Sequence, residues 1–233
     1  MASESGKSRI LIVDDQGLIQ EGLSRIIGGQ QDLEVCGSAD GASAALKAVA
    51  LHKPDLVLVD ILLPDGCGVE LIKNLVSEYP TVLALVISQC DETVYAERAL
   101  KAGARGFVMK NRAVSEIPKA IRAVLAGEFY VSPQVAALAL NRMGTGHVRS
   151  QRDTIGKLTD RELQIFQLLG AGVATRDIAI KLQLSIKTVQ THRESIKHKL
   201  KLPNAVALRH FATNWVTSQR SARVFPNNAN FRE

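Results

Sequence analysis

Leu56-Val57-Leu58-Val59-Asp60 runs directly into Ile61-Leu62-Leu63-Pro64-Asp65-Gly66. A short, wholly apolar run bounded by Pro and Gly reads as a strand buried on both faces. An ionised carboxylate inside such a strand would be desolvated at a cost of several kcal/mol unless it were paired. At the point where the strand stops, the cost falls away. In open parallel α/β sheets the crevice beyond the carboxyl ends of the strands is where ligands bind. Asp60 is therefore a candidate reactive group at the mouth of a sheet, rather than only the start of a turn before Pro64.

The same pattern recurs along the first half of the chain. Arg9-Ile10-Leu11-Ile12-Val13 ends in Asp14 and Asp15, Val82 to Ile87 ends at Ser88, and Gly106-Phe107-Val108-Met109 ends at Lys110. Leu33 to Gly37 adds a shorter strand. Between them, Gly17–Ile27, Ala42–Leu51, Val69–Val76, Thr93–Ala102 and Ser115–Leu125 carry apolar residues at helical spacing, stopped by Pro54, Pro80, Gly103 or Gly127. Five strand–helix repeats predict an α/β fold, a doubly wound five-stranded parallel sheet. Four strand ends would then gather Asp14, Asp15, Asp60, Ser88 and Lys110 on one rim.

Composition separates a second module. The chain has 233 residues, enough for one large or two small domains with real cores. Its net charge of +6 is unevenly spread: residues 1–130 carry −4 and residues 131–233 carry +10. An acidic module joined to a basic one suggests that the second half seeks a polyanion. No apolar run approaches the length of a membrane helix, and residues 1–7 lack the apolar core of a signal peptide. Cys36, Cys67 and Cys90 are odd in number and widely spaced, which argues against a disulfide framework or zinc site and for a reducing cytoplasm.

The rim chemistry follows from charge. Three clustered carboxylates repel one another and raise one another's pKa. A hard divalent cation such as Mg2+ relieves this, taking one or two carboxylates and several waters. The remaining oxygen of Asp60 can then act as a nucleophile toward a phosphoryl group. Lys110 would offset phosphoryl charge, and Ser88 would donate a hydrogen bond to a phosphoryl oxygen.

The Asp14-Asp15 pair, Asp60 ahead of its Pro- and Gly-containing turn, Ser88 and Lys110 together resemble the receiver domain of two-component response regulators over residues 8–127. The resemblance implies a flavodoxin-like fold in which Asp60 is the phosphoacceptor for a sensor histidine kinase. It implies a Mg2+ site formed by Asp14, Asp15, Asp60 and the backbone carbonyl of Leu62. Ser88 and Phe107 would be the switch residues; many receivers carry Tyr at the latter position, and Phe lacks the hydroxyl. Leu62 and Cys90, each two residues past Asp60 or Ser88, are placed to overhang the phosphoryl group, and apolar Leu62 would hinder an in-line water and make self-dephosphorylation slow. Such a protein is not an enzyme beyond this Mg2+-dependent self-phosphorylation and hydrolysis. A haloacid-dehalogenase-like phosphohydrolase, the enzymatic alternative, expects Asp-x-Asp after the first strand instead of adjacent Asp14-Asp15.

The receiver is expected over residues 1–128, followed by a flexible linker over 129–156. In the linker Gln134–Arg142 could form one Ala-rich helix, Met143–Arg152 has no apolar periodicity, and His147 reads as solvated. Beyond it, Leu158-Thr159-Asp160-Arg161-Glu162-Leu163 is a sharp helix start with a capping box. Thr175 is expected to cap a second helix, Gln183-Leu184 to turn, and Ser185 to cap a third. On the third helix Val189, Ile196 and Leu200 form a core stripe, with His192 between them. Its other face shows Lys187, Gln190, Thr191, Glu194, Lys197 and Lys201. Two helices joined by a tight turn, the second basic and polar on its outer face, fit a helix-turn-helix reading the major groove of double-stranded DNA.

Leu158-Thr159 with Arg161-Glu162, Asp177-Ile178-Ala179, Leu184-Ser185, Lys187-Thr188-Val189 and Thr191-His192 resemble a LuxR-type helix-turn-helix. This smaller, all-α domain is expected over residues 157–217, with a fourth helix from Asn204 to about Trp215 as its dimer contact. The resemblance implies that Gln190, Thr191 and Glu194 face bases. It assigns Lys187, Thr188, Arg193, Lys197 and Lys199 to phosphates or to fixing register. Residues 218–233 are expected to be a disordered tail. The two resemblances together indicate a response regulator of the NarL/FixJ type, a phosphorylation-switched transcription factor that dimerises on DNA.

Overall fold

The structure, a computed structural model, describes residues 6–112, 115–144 and 155–224. The chain divides between Val148 and Arg149 into two compact units. In the first, strands β1 (Ser8–Val13), β2 (Leu33–Ala39), β3 (Leu56–Val59), β4 (Leu83–Ser88) and β5 (Gly106–Met109) alternate with helices α1 (Gly17–Gly28), α2 (Ala42–His52), α3 (Gly68–Glu78), α4 (Glu92–Ala102) and α5 (Glu116–Leu125). All neighbouring strands are parallel, in the order β2-β1-β3-β4-β5.

That order places the reactive crevice. The chain leaves β1 outward to β2, then returns past β1 to reach β3, so the winding reverses between β1 and β3. Val13 and Val59 are register partners at the ends of these strands, and Asp14 and Asp60 are the residues that follow. The expected rim thus coincides with the switch point of the sheet, where no helix fills the space above the strand ends.

Alternation along each strand builds two cores. Ile10, Ile12, Leu56, Leu58, Leu85, Ile87 and Val108 form one cluster with Leu23 and Ile27 of α1 and Ile117, Ile121 and Val124 of α5. Leu11, Val13, Val57, Val59, Val86 and Phe107 are buried on the opposite face. Burial on both faces is why these strands read as continuous apolar runs. Each fully buried Leu or Ile contributes about 2 kcal/mol.

The segment after α5 carries the helix expected over Gln134–Arg142 and is also tied to the sheet ahead of it. Tyr130 pairs with Gly106 as a parallel bridge beyond the β5 edge. Its N–H donates to the Arg105 carbonyl at 3.0 Å, and its carbonyl accepts from the Phe107 N–H at 2.8 Å. The Arg105 guanidinium stacks 5.0 Å from the Phe129 ring. Helix α6 (Pro133–Gly144) follows and packs against α4. A Cβ on Gly106 would lie 2.6 Å from the Tyr130 carbonyl oxygen, so glycine is what admits this half-strand. The first unit therefore extends past residue 128 through α6. Residues 145–154, with His147 and most of the stretch Met143–Arg152, lie outside the described residues.

The second unit contains α7 (Asp160–Gly170), α8 (Thr175–Lys181), α9 (Ile186–Leu200) and α10 (Ala205–Val224). The capping box at α7 forms as expected: Thr159 Oγ1 accepts from the Glu162 N–H and Glu162 Oε2 accepts from the Thr159 N–H. Ser185 caps α9 through the Thr188 N–H at 3.0 Å. Thr175 does not cap α8. Ala174 occupies the cap position, and Thr175 Oγ1 instead accepts from Arg193 at 2.7 Å. Phe166 packs against Phe211 and Trp215 at centroid distances of 6.0 and 5.6 Å, holding α7 against α10. Helix α10 runs on to Val224, past the expected end near Trp215 and into the expected tail. No Gly or Pro intervenes before Pro226, and proline disfavours the helical region for the residue before it, not for the turns preceding that. Residues 225–233 lie outside the described residues.

Gly106→Ala is expected to destabilise the first unit by about 1–3 kcal/mol, the usual cost of overpacking, and to accelerate hydrogen exchange at the Phe107 and Tyr130 amides. Unchanged exchange at both amides would show that the Tyr130 pairing does not depend on Gly106.

Candidate functional site

Asp14, Asp60 and Ser88 are buried at the rim, while Asp15 is exposed beside them. Carboxylate oxygens of Asp14, Asp15 and Asp60 lie within 4.8 Å of one another. The Lys110 ammonium stands between two of these acids, 2.6 Å from Asp14 Oδ2 and 2.7 Å from Asp60 Oδ2. The other oxygen of Asp60 accepts from the Ser88 hydroxyl at 2.6 Å. Asp14 Oδ1 accepts from the Gln16 N–H at 3.0 Å.

The electrostatics follow from burial and pairing. Burial pushes the Asp14 carboxyl up, Lys110 draws it back and Asp60 adds to the rise; the net shift is upward. Burial works against the Lys110 charge, but Asp60 and Asp14 outweigh it and hold the ammonium above its ordinary value. Asp14 Oδ2 is buried with no aligned hydrogen bond and lies 2.6 Å from the Lys110 ammonium. Three carboxylates within 4.8 Å of one another form the all-oxygen donor set a hard divalent cation takes.

Asp14, Asp15, Asp60, Ser88 and Lys110 are thus assembled as the sequence predicted. Phe107 is buried, only 2% exposed, and its backbone N–H is the one bound by Tyr130. Leu62 is half-buried and bridges Cys67 across the loop after Asp60. Cys90 is buried and its thiol is pushed up to about 12, chiefly by burial, so it is poorly suited to react as a thiolate. Two contributors escaped the sequence reading. The Gln20 side-chain amide donates to the Asp14 and Ala39 carbonyls at 2.6 and 3.2 Å, tying α1 to the rim. Tyr130 is the other, and its position in a break between helices gave no periodicity to find it by.

In the second unit Val189, Ile196 and Leu200 are buried as expected and His192 is half-buried. Lys187, Gln190, Thr191, Glu194, His198 and Lys201 are exposed along one stripe of α9; His198 was not anticipated. The expected contact residues divide on geometry. Lys187, Gln190, Thr191 and Glu194 face solvent, and Glu194 pairs with Lys197 at 2.7 Å. The Thr188 and Ser185 hydroxyls bond to one another. Arg193 and Lys199 are not free cations. Arg193 donates to Thr175 on α8, and Lys199 donates to Glu162 on α7 at 2.7 Å. Glu162 also accepts from the Ser195 hydroxyl at 2.6 Å. Burial pushes the Glu162 carboxyl up, but Lys199, Ser195 and Thr159 prevail and hold it below the usual range. These bonds fasten α9 to its neighbours and engage, within the unit, two of the cations expected at phosphates.

A doubly wound sheet with an acidic rim, joined to a helix-turn-helix unit, defines the class of two-domain signalling regulators. Comparison with known proteins narrows it. The receiver-domain model of response regulators matches residues 10–122, and the model of bacterial regulatory proteins of the luxR family matches residues 156–212. The response regulator GacA of Pseudomonas viridiflava is 36% identical over 201 residues, which covers 86% of this chain and 92% of that protein. The oxygen regulatory protein NreC of Staphylococcus epidermidis is 32% identical over 209 residues, 88% and 96% of the two chains. The structure of RcsB from Salmonella enterica serovar Typhimurium, bound to promoter rprA in the presence of phosphomimetic BeF3−, shares the fold with a TM-score of 0.61 at 22% identity over 89% of this chain and 98% of that one. The chain belongs to the NarL/FixJ family of two-component response regulators, with a receiver domain and a LuxR-type helix-turn-helix domain. Among the described residues no helix is long and apolar enough to cross a membrane.

Replacing Glu162 with Ala is expected to cost the DNA-binding unit about 2 kcal/mol, since the Lys199, Ser195 and Thr159 donors lose their acceptor. Because the folded-state carboxyl lies below its reference value of 4.5, this contribution is present above that pH and is lost as the pH falls through the folded value. Urea unfolding at neutral pH and under acid checks both. An unchanged midpoint for the variant would remove Glu162 from the account.

Proposed function

We propose that this response regulator is a phosphorylation-switched transcription factor in which Asp60 accepts a phosphoryl group from a sensor histidine kinase. The observation that carries the reading is the arrangement around Asp60: a buried carboxylate at the sheet mouth with Ser88 on one oxygen, Lys110 on the other and Asp14 beside it. In the transfer an Asp60 oxygen forms the new P–O bond as the P–N bond of the kinase phosphohistidine breaks, its electron pair leaving with the imidazole nitrogen. Both Asp60 oxygens are engaged in the resting site, so Ser88 or Lys110 exchanges a carboxylate oxygen for a phosphoryl one as the acyl phosphate forms. Mg2+, held by Asp14, Asp15, Asp60 and the Leu62 carbonyl, would offset the charge of the phosphoryl oxygens. Leu62 would screen the phosphorus from water, so self-hydrolysis is slow.

The switch is a shift between two receiver states. Ser88 moves with the phosphoryl group, and Phe107 on the next strand follows in the space it leaves. The altered receiver surface favours homodimers, which set two α9 helices on half-sites about one helical turn apart. Gln190 and Glu194 carry base discrimination, because Gln pairs bidentately with adenine and Glu accepts from cytosine N4. Lys187 and the remaining exposed basic groups carry phosphate attraction. That RcsB was captured on a promoter with a phosphomimetic supports asking the same of this chain.

Affinity for a selected operator, measured with and without beryllofluoride and Mg2+, is expected to rise for the wild type and to stay flat for Asp60→Asn. An equal response of the two proteins would remove Asp60 from the switch. In the same assay Gln190→Ala is expected to cost about 1–3 kcal/mol on the operator and little on random DNA. Lys187→Ala should weaken both alike and lower the salt slope by about 1. A uniform loss from Gln190→Ala would make it a backbone contact.

A further inference from the structure

The loop that follows Asp60 is held by bonds that phosphoryl transfer does not use. Its base is fixed tightly: the Gly68 N–H donates to the Ile61 carbonyl at 3.0 Å, Leu62 and Cys67 bridge across it, and a Cβ on Gly68 would overlap the Asp60 carbonyl oxygen. Its tip, Pro64-Asp65-Gly66, is fastened elsewhere. Asp65 Oδ1 accepts from the Ala42 N–H at 2.7 Å and Oδ2 from the Ser43 N–H at 2.9 Å. These are the first two amides of α2, a helix whose own N-cap is Gly41 and supplies no side-chain cap. A Cβ on Gly41 would lie 2.6 Å from Asp65 Oδ1. The capping carboxylate of α2 thus comes from the phosphoacceptor loop, and Gly41 is the residue that lets it in. Charge-assisted bonds to N-terminal amides, reinforced by the helix dipole, make this a firm fastening for an exposed group. Asp65 stands apart from the cluster of Asp14, Asp15 and Asp60.

We propose that Asp65 is a positioning residue for the phosphoacceptor site: clamping the loop tip to the start of α2 holds the Leu62 backbone in place beside Asp14, Asp15 and Asp60, and so sets how tightly the divalent cation is held. The inference rests on the reading of that cluster as a Mg2+-dependent phosphoacceptor site. Removing the clamp leaves every direct ligand and the base of the loop intact but loosens the tip that braces Leu62 from outside, an outer-layer effect that typically weakens metal affinity tenfold or more.

The test uses full-length wild type, Asp65→Ala and Asp65→Asn, with Mg2+ titrated calorimetrically. Thermal midpoint, Ser43 amide exchange and phosphorylation of Asp60 by a small phosphoramidate donor are followed alongside. Asp65→Ala is expected to raise the Mg2+ dissociation constant about tenfold, to expose the Ser43 amide, and to slow phosphorylation at limiting but not saturating Mg2+. Asp65→Asn keeps one capping oxygen and is expected to recover part of the affinity. Unchanged Mg2+ affinity with a lowered thermal midpoint would overturn the proposal and leave Asp65 a helix cap alone. A wild type that takes up no Mg2+ would instead sink the underlying reading of the pocket, and the positioning role with it.

Discussion

The ammonium of Lys110, placed between Asp14 and Asp60, is the contact on which the receiver site depends. Two buried carboxylates this close cannot both ionise without a compensating charge. Lys110 supplies it from the end of β5, a strand separated from β1 by β3 and β4. One ion triad therefore ties three strand ends together. Such a triad is poor as a source of net stability, because desolvation offsets most of the attraction. Its value is that a single change of charge at Asp60 alters the partners of Lys110 and Ser88 together.

Much of this was legible in the sequence because burial and reactivity leave opposite marks there. Val57 and Val59 had to be apolar to lie within a covered sheet, so a carboxylate directly after them stood out. The same holds for Asp14, Ser88 and Lys110. The half-strand at Tyr130 left no such mark. It is a single residue of pairing, permitted by an absence of side chain at Gly106, and neither alternation nor helical spacing extends over one residue. The capping role of Asp65 was hidden for a similar reason, since its partners are main-chain amides more than twenty residues upstream.

The recognition helix shows a different limit. Periodicity separated the buried stripe of Val189, Ile196 and Leu200 from the polar remainder, and the structure agrees. It could not tell which polar residues are free. Arg193 and Lys199 sit at the flanks of the stripe, where a long side chain reaches a neighbouring helix as readily as solvent. Both found internal acceptors, Thr175 and Glu162. Low apolar content after Trp215 suggests a helix end there, but only Pro226 carries a stop signal, and α10 continues to Val224. Glu162 was legible as a cap and illegible as a hub, although one carboxylate joins α7 to two residues of α9.

The chain divides into two compact units, and the pairing of Tyr130 with β5 marks where the first can be cut. A receiver severed at the end of α5 would strip the Phe107 and Arg105 main chain of its partners and bare the side of α4 that α6 covers. It would carry a raw sheet edge, an invitation to self-association. A transplantable module runs through α6, so a hybrid regulator built from this chain should place its junction after residue 144, leaving the strap with the sheet it completes.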